Sequence, residues 1–148
     1  MLLALILSAM RILGAAEHVP VNEELAASIA AAVEGEPDAE RWAIRETVSA
    51  YYESRLGWHW NGHALEYNDC RSGDGGKSWG FFQIQKPVPK AVACASADAA
   101  RMWLHMAKAS LKACGTLAQV FSGHCDLGTR VAAWRERETE RVMREVSR

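Results

Sequence analysis

The chain has 148 residues, 49% apolar and 24% charged, the balance of one soluble domain. That excludes a collagen, a low-complexity disordered tract and a multi-pass membrane protein. Seventeen Lys and Arg against 18 Asp and Glu give a net charge of −1, without the basic excess that marks a nucleic-acid binder. The charge is uneven: residues 17–40 carry seven acids and no Lys or Arg, while 130–148 carry six Arg against four Glu.

Met1 to Met10 is almost wholly apolar and is followed by Arg11. A signal peptide carries its cation before the apolar run, here it comes after. Ten apolar residues are also too few for a stable membrane span. Residues 1–16 are therefore expected to form a first core helix, with Ser8 and Arg11 at its edge, in preference to a signal peptide. Asn22 can cap a second helix, with Glu23 and Glu24 in the first turn and Leu25, Ile29 and Val33 inward. Gly35 and Pro37 stop it. A longer helix is expected from Asp38 to Leu56, ended by Gly57.

Between Gly57 and Pro89 the helical period disappears. Six of the eleven glycines fall there, with the turn run Ser72-Gly73-Asp74-Gly75-Gly76, so this stretch reads as a loop with a small hairpin. Helical spacing returns at Ser96, with Trp103, Met106, Ala107, Ser110, Leu111 and Cys114 on one side and Gly115 as the stop. Thr116 can cap a short helix through Phe121. A last helix is expected from Thr129 to Val146, with Val131, Trp134, Val142 and Val146 inward and its Arg and Glu residues on a solvated face. The fold class is thus mainly α: one domain over 1–148, with a small irregular or β-hairpin lobe between the helices.

The four cysteines, Cys70, Cys94, Cys114 and Cys125, allow three pairings and include no Cys-x-x-Cys. Cys114 and Cys125 flank a short helix and turn, so they are expected to bond to each other and leave Cys70 with Cys94. Disulfides point to an oxidising, extracytoplasmic location.

Among residues able to carry chemistry, Glu53 stands out. It shares a helical stripe with Trp42, Glu46 and Ser49 and lies in the last turn of its helix. The negative end of the helix dipole and nearby aromatic residues (Tyr51, Tyr52, Trp58, Trp60) both raise a carboxyl pKa, as a general acid requires. The competing reading is a surface pair with Arg45 or Arg55. Ser78-Trp79-Gly80-Phe81-Phe82-Gln83-Ile84 is a second candidate: Gly80 admits close backbone approach, and Gln83 offers donor and acceptor to an amide. Asp69 and Asp74 are possible second carboxylates, although turn formation already explains them. Trp58, Trp60, Tyr67 and Trp79 could stack on sugars or pack inward. His59 and His63 are separated by poor helix formers, so no metal site is expected. Cys70 or Cys125 with His124 lacks the context of a thiol hydrolase.

In this order, Glu53-Ser54 at a helix end, Ser78-x-Gly80-Phe81-Phe82-Gln83-Ile84, and the Ser122-Gly123 helix end resemble the motifs of lysozyme-like lytic transglycosylases. That group includes goose-type lysozymes and phage cell-wall lysins. The resemblance covers residues 38–128. It implies a lysozyme-like fold around a groove that holds a peptidoglycan glycan strand and cleaves the MurNAc–GlcNAc β-1,4 bond, without cofactor or metal and as a monomer. Glu53 would be the general acid/base and Ser54 would support it. Gln83, with backbone around Phe81 and Phe82, would hold the N-acetyl group. Ser78, Gly80 and Phe121 complete the implied substrate-binding set. At the third motif the family's Tyr is replaced by Val120, so its hydroxyl is either absent or supplied by Tyr51 or Tyr67. That departure keeps open a catalytically weak glycan-binding or virion structural module on the same fold. Asp69 and Asp74 keep open a hydrolytic muramidase, and an enzyme of the same fold acting on chitin-type polymers is a further alternative.

Overall fold

A computed structural model describes residues 1–148, and seven α-helices with five short strands make up its regular structure. The order is α1 (Leu2–Gly14), α2 (Glu23–Val33), α3 (Ala39–Ser54), β1 (Trp58–Trp60), β2 (Leu65–Tyr67), β3 (Ser72–Gly73), β4 (Ser78–Trp79), β5 (Ile84–Gln85), α4 (Lys90–Cys94), α5 (Ser96–Cys114), α6 (Ala118–Ser122) and α7 (Thr129–Val146). The architecture is mainly helical, with two small antiparallel sheets between α3 and α4. No helix is long and apolar enough to cross a membrane.

The core gathers around α3, which packs against α1, α2, α5 and α7. From α1, Ile6, Ala9 and Met10 are completely buried. Each large apolar side chain so buried contributes about 1.5–3 kcal/mol. Asn22 caps α2 as its sequence suggests: its side chain accepts from the Leu25 N–H at 2.9 Å. The same amide donates to the Leu56 carbonyl (3.0 Å) and the Tyr67 hydroxyl (3.1 Å), tying the start of α2 to the end of α3 and to the first hairpin.

α3 stops at Ser54, two residues before the expected end. Arg55 and Leu56 both take positive φ (51° and 59°), and residues 55–57 form a tight 3₁₀ turn. Ser54 Oγ fastens this turn, donating to the Ala50 carbonyl and accepting from the Gly57 N–H. The lobe that follows holds a two-stranded sheet, β1 with β2, and a three-stranded sheet in the order β3-β4-β5. Its last segment is α4, a helix of five residues that the sequence pattern did not announce.

α7 departs most from expectation. Val131 and Trp134 are 43% and 38% exposed, whereas Ala132, Arg135, Thr139 and Val142 face inward. The helix is rotated because α3 offers Arg135 a carboxylate, and a buried cation goes where it is paired. The rest of the charged face of α7 is arranged largely as expected. Arg141 bridges Glu138 and Glu145 along the helix, while Arg41 and Arg45 reach across from α3 to Glu136.

The disulfides are Cys70–Cys94 and Cys114–Cys125, and no cysteine is free. The first ties the segment between β2 and β3 to the end of α4. The second closes a loop around α6. A cysteine nucleophile at position 70 or 125 is thereby excluded in this oxidised state.

Candidate active site

Glu53 lies in the last turn of α3, and its carboxylate opens into a cleft of about 330 Å³. Three parts of the chain wall the cleft. The lobe supplies Asp74, Phe82, Gln83 and the segment through Val88. α6 and its end supply Gln119, Val120, Phe121, Ser122 and Gly123. Trp103 and Met106 of α5, with Ser49 of α3, complete the lining. Helical spacing explains the placement on α3: Trp42, Glu46, Ser49 and Glu53 share one face, buried at its lower turns and opening at Glu53.

The carboxylate is held from α7. Arg135 Nη2 donates to Glu53 Oε1 at 2.8 Å, with side chains 10% and 28% exposed. Arg135 Nη1 also donates to the Ser49 carbonyl at 3.4 Å. The guanidinium lies 5.1–5.6 Å from the ring centres of Phe121, Tyr52 and Trp134. Burial pushes the Arg135 pKa below its usual value, against the opposing pull of Glu53. Neither surface partner suggested by the sequence is used. Arg45 pairs with Glu136, and Arg55 with Glu17. The sequence pattern places Arg135 on the solvated face, whereas it is 9% exposed. The signal available in the sequence was the 3-4-3 spacing of Ala132, Arg135, Thr139 and Val142, in which small or β-branched residues flank the arginine.

Below Glu53 on the same stripe, Glu46 is completely buried, and neither of its carboxyl oxygens has a hydrogen-bond partner. Burial raises its pKa well above the ordinary carboxyl value. The Ser49 hydroxyl and Arg135 Nε, also buried, are likewise unpaired.

The other candidates divide between wall and scaffold. Phe82, Gln83 and Phe121 line the cleft with Glu53, but Ser54, Ser78, Gly80 and Phe81 do not. Gln83 is occupied by its own lobe: Nε2 donates to the carbonyls of Arg71 and Gly80, and Oε1 accepts from Ser78 Oγ. Ser78 is fully buried in that network, its single hydroxyl proton lying between Gln83 Oε1 (3.0 Å) and Asp74 Oδ2 (3.2 Å). Gly80 does permit a close approach, but to backbone and not to the cleft. At φ +80°, a Cβ there would lie 2.0 Å from the Ala93 carbonyl oxygen. Phe81 is a core residue, 2% exposed.

Asp74 lines the cleft with Glu53, while Asp69 lies outside it on the exposed lobe. Neither tyrosine offered as a substitute hydroxyl reaches the cleft. Tyr51 donates to Glu17, and Tyr67 accepts from Asn22. Trp58 and Tyr67 pack at 5.2 Å on the first hairpin, with Trp60 exposed beside them. His59 faces Glu66 at 3.6 Å, and no three His, Cys, Asp or Glu side chains converge as a metal centre.

Comparison with protein-family models, curated proteins and solved structures gives no match for this chain.

Proposed function

We propose that this chain is a peptidoglycan-cleaving enzyme that acts on the MurNAc–GlcNAc β-1,4 bond, with Glu53 as general acid and then base. The observation that carries the reading is the meeting of three separate sequence motifs in one cleft: Glu53 at a helix end, Phe82-Gln83 of the lobe, and Val120-Phe121 before a helix-ending glycine. Glu53 Oε1 is engaged by Arg135, which leaves Oε2 to address a bound bond. Phe121 offers apolar surface for a pyranose ring, as glycan grooves do, while Phe82, 5% exposed, backs the wall from the core.

Cleavage begins with protonated Glu53 giving its proton to the glycosidic oxygen as the C1–O4 bond breaks. The resulting carboxylate then removes the proton of the MurNAc 6-hydroxyl while O6 bonds to C1. Glu53 ends protonated, no water is consumed, and the product carries a 1,6-anhydro end. An internal nucleophile benefits from proximity and spares the site a second carboxylate. The enzyme works as a monomer outside the cytoplasm, in keeping with its two disulfides.

Asp74 favours a second reading. A carboxylate on the lobe side of the cleft could activate water or attack C1, which would make the enzyme a muramidase. Mass spectrometry of fragments released from purified cell walls separates the two. The transglycosylase yields anhydro ends, one water lighter than reducing ends, and tolerates Asp74→Asn. Reducing ends together with an inactive Asp74→Asn protein would establish the muramidase. Binding to walls without release of any fragment would instead identify a glycan-binding module.

A further inference from the structure

We infer that Arg135 is the positioning residue of this site: it fixes the Glu53 carboxylate by one oxygen and seats the Phe121 wall against the same guanidinium. The inference rests on the reading of Glu53 as the acid/base. Three observations converge on it. Arg135 is 9% exposed in the middle of a helix otherwise rich in exposed arginines, so its burial has a local cause. Its two terminal nitrogens contact one helix at successive turns, the Ser49 carbonyl and Glu53 Oε1. Its charge also lies 5.1 Å from the ring centre of Phe121, which lines the same cleft from α6.

The physical consequence is a carboxylate with one defined rotamer. A free glutamate at a helix end samples several staggered side-chain states. Here Arg135 takes Oε1, which leaves Oε2 free for a glycan strand in the cleft. Misplacing a reacting group by an ångström costs about 10²-fold in rate. Tyr52 keeps the cation from shifting. Its ring lies 5.3 Å from the guanidinium, 4.4 Å from Trp134, and its hydroxyl is bonded to Glu138. The other charged groups facing the cleft are Asp74 of the lobe and Lys86 after β5, and Arg55 adds a cation near Arg135 from the end of α3. α5 and α6 contribute none to the lining. Arg135 is the charged side chain that touches the Glu53 carboxylate.

The test compares wild type, Arg135→Met and Arg135→Lys on soluble glycan oligomers, and reads the ¹³C carboxyl shift of Glu53 at one fixed pH without substrate. Arg135→Met is expected to lower kcat by about 10–10²-fold, with a smaller change in KM, and to move the Glu53 carboxyl resonance, whose contact with the guanidinium is lost. Arg135→Lys keeps the charge but not the two-pronged geometry. It should recover only part of kcat. A Glu53 resonance that stays in place in Arg135→Met overturns the inference, as does full kcat in that variant. If Arg135→Met does not fold, Arg135→Lys decides alone: undiminished kcat overturns the proposal, and a reduced kcat at nearly unchanged KM supports it. A wild type that releases nothing from cell walls refutes the peptidoglycan reading, while the substrate-free resonance still decides whether Arg135 fixes the Glu53 carboxylate.

Discussion

Glu46 makes the stability of this protein depend on pH in a way that one substitution should remove. Its carboxyl is fully buried without a hydrogen-bond partner, and desolvation raises its pKa well above the ordinary value of 4.5. Over some interval above 4.5 the folded state therefore keeps a proton that the unfolded chain releases. Stability is complete below the unfolded value, falls as pH rises above it, and levels off once the buried carboxyl itself ionises. The slope while it stays protonated is about 1.4 kcal/mol per pH unit, which sets a ceiling of about 3.5 kcal/mol at pH 7. Glu17, Glu136 and Glu138 act oppositely. Their pKa values are lowered, so their contribution is present above the ordinary value and lost as pH falls.

Comparison with Glu46→Gln cancels those three groups, since both proteins contain them. Urea unfolding at pH 4, 5, 6 and 7, followed by tryptophan fluorescence, should give nearly equal stabilities at pH 4. The variant should gain progressively toward pH 7. Glu46→Met, which also removes the unpaired polar atoms, should be more stable by a further ~1–3 kcal/mol at every pH. Curves for wild type and Glu46→Gln that stay parallel from pH 4 to 7 would show that Glu46 is neither dry nor neutral, and the reasoning would fail.

Gln83→Ala removes three hydrogen bonds that close the lobe on itself, so it should destabilise by about 1–3 kcal/mol; an unchanged melting temperature would show that the lobe does not depend on them. Opening Cys114–Cys125, whose cysteines are 11 residues apart in sequence, should cost about 3 kcal/mol in the chain-entropy description. Thermal unfolding of the Cys114→Ser, Cys125→Ser double variant measures it, and a loss below ~1 kcal/mol would contradict that estimate.

Periodicity made the helices legible, because burial on a helix repeats every three or four residues. The spacing of Leu25, Ile29 and Val33 predicts them inward, and all three are completely buried; Asn22 caps as its type and place suggest. On α7 the hydropathy pattern points to the wrong face, because Val131 and Trp134 are apolar and Arg135 is not. Hydropathy assigns an arginine outward unless its partner is known, and that partner lies 82 positions away in sequence. The same limit applies to the lobe. Ser78, Gly80 and Gln83 carry the look of a binding motif, but their polar atoms and close approach serve Asp74, Arg71 and Ala93. A local motif shows which residue types stand together, and long-range contacts decide which of them face the cleft. α4 escaped notice because five residues are too few for a periodic signal.

The central claim is that Glu53 transfers the proton that cleaves a cell-wall glycan. Its most direct test is the release of soluble fragments from purified peptidoglycan by wild type and by Glu53→Gln, with end groups read by mass spectrometry. Wild type should release fragments ending in 1,6-anhydro-MurNAc, and folded Glu53→Gln should be slower by about 10²–10⁴-fold. A Glu53→Gln protein that clears walls near the wild-type rate, or a wild type that releases nothing, would contradict the account.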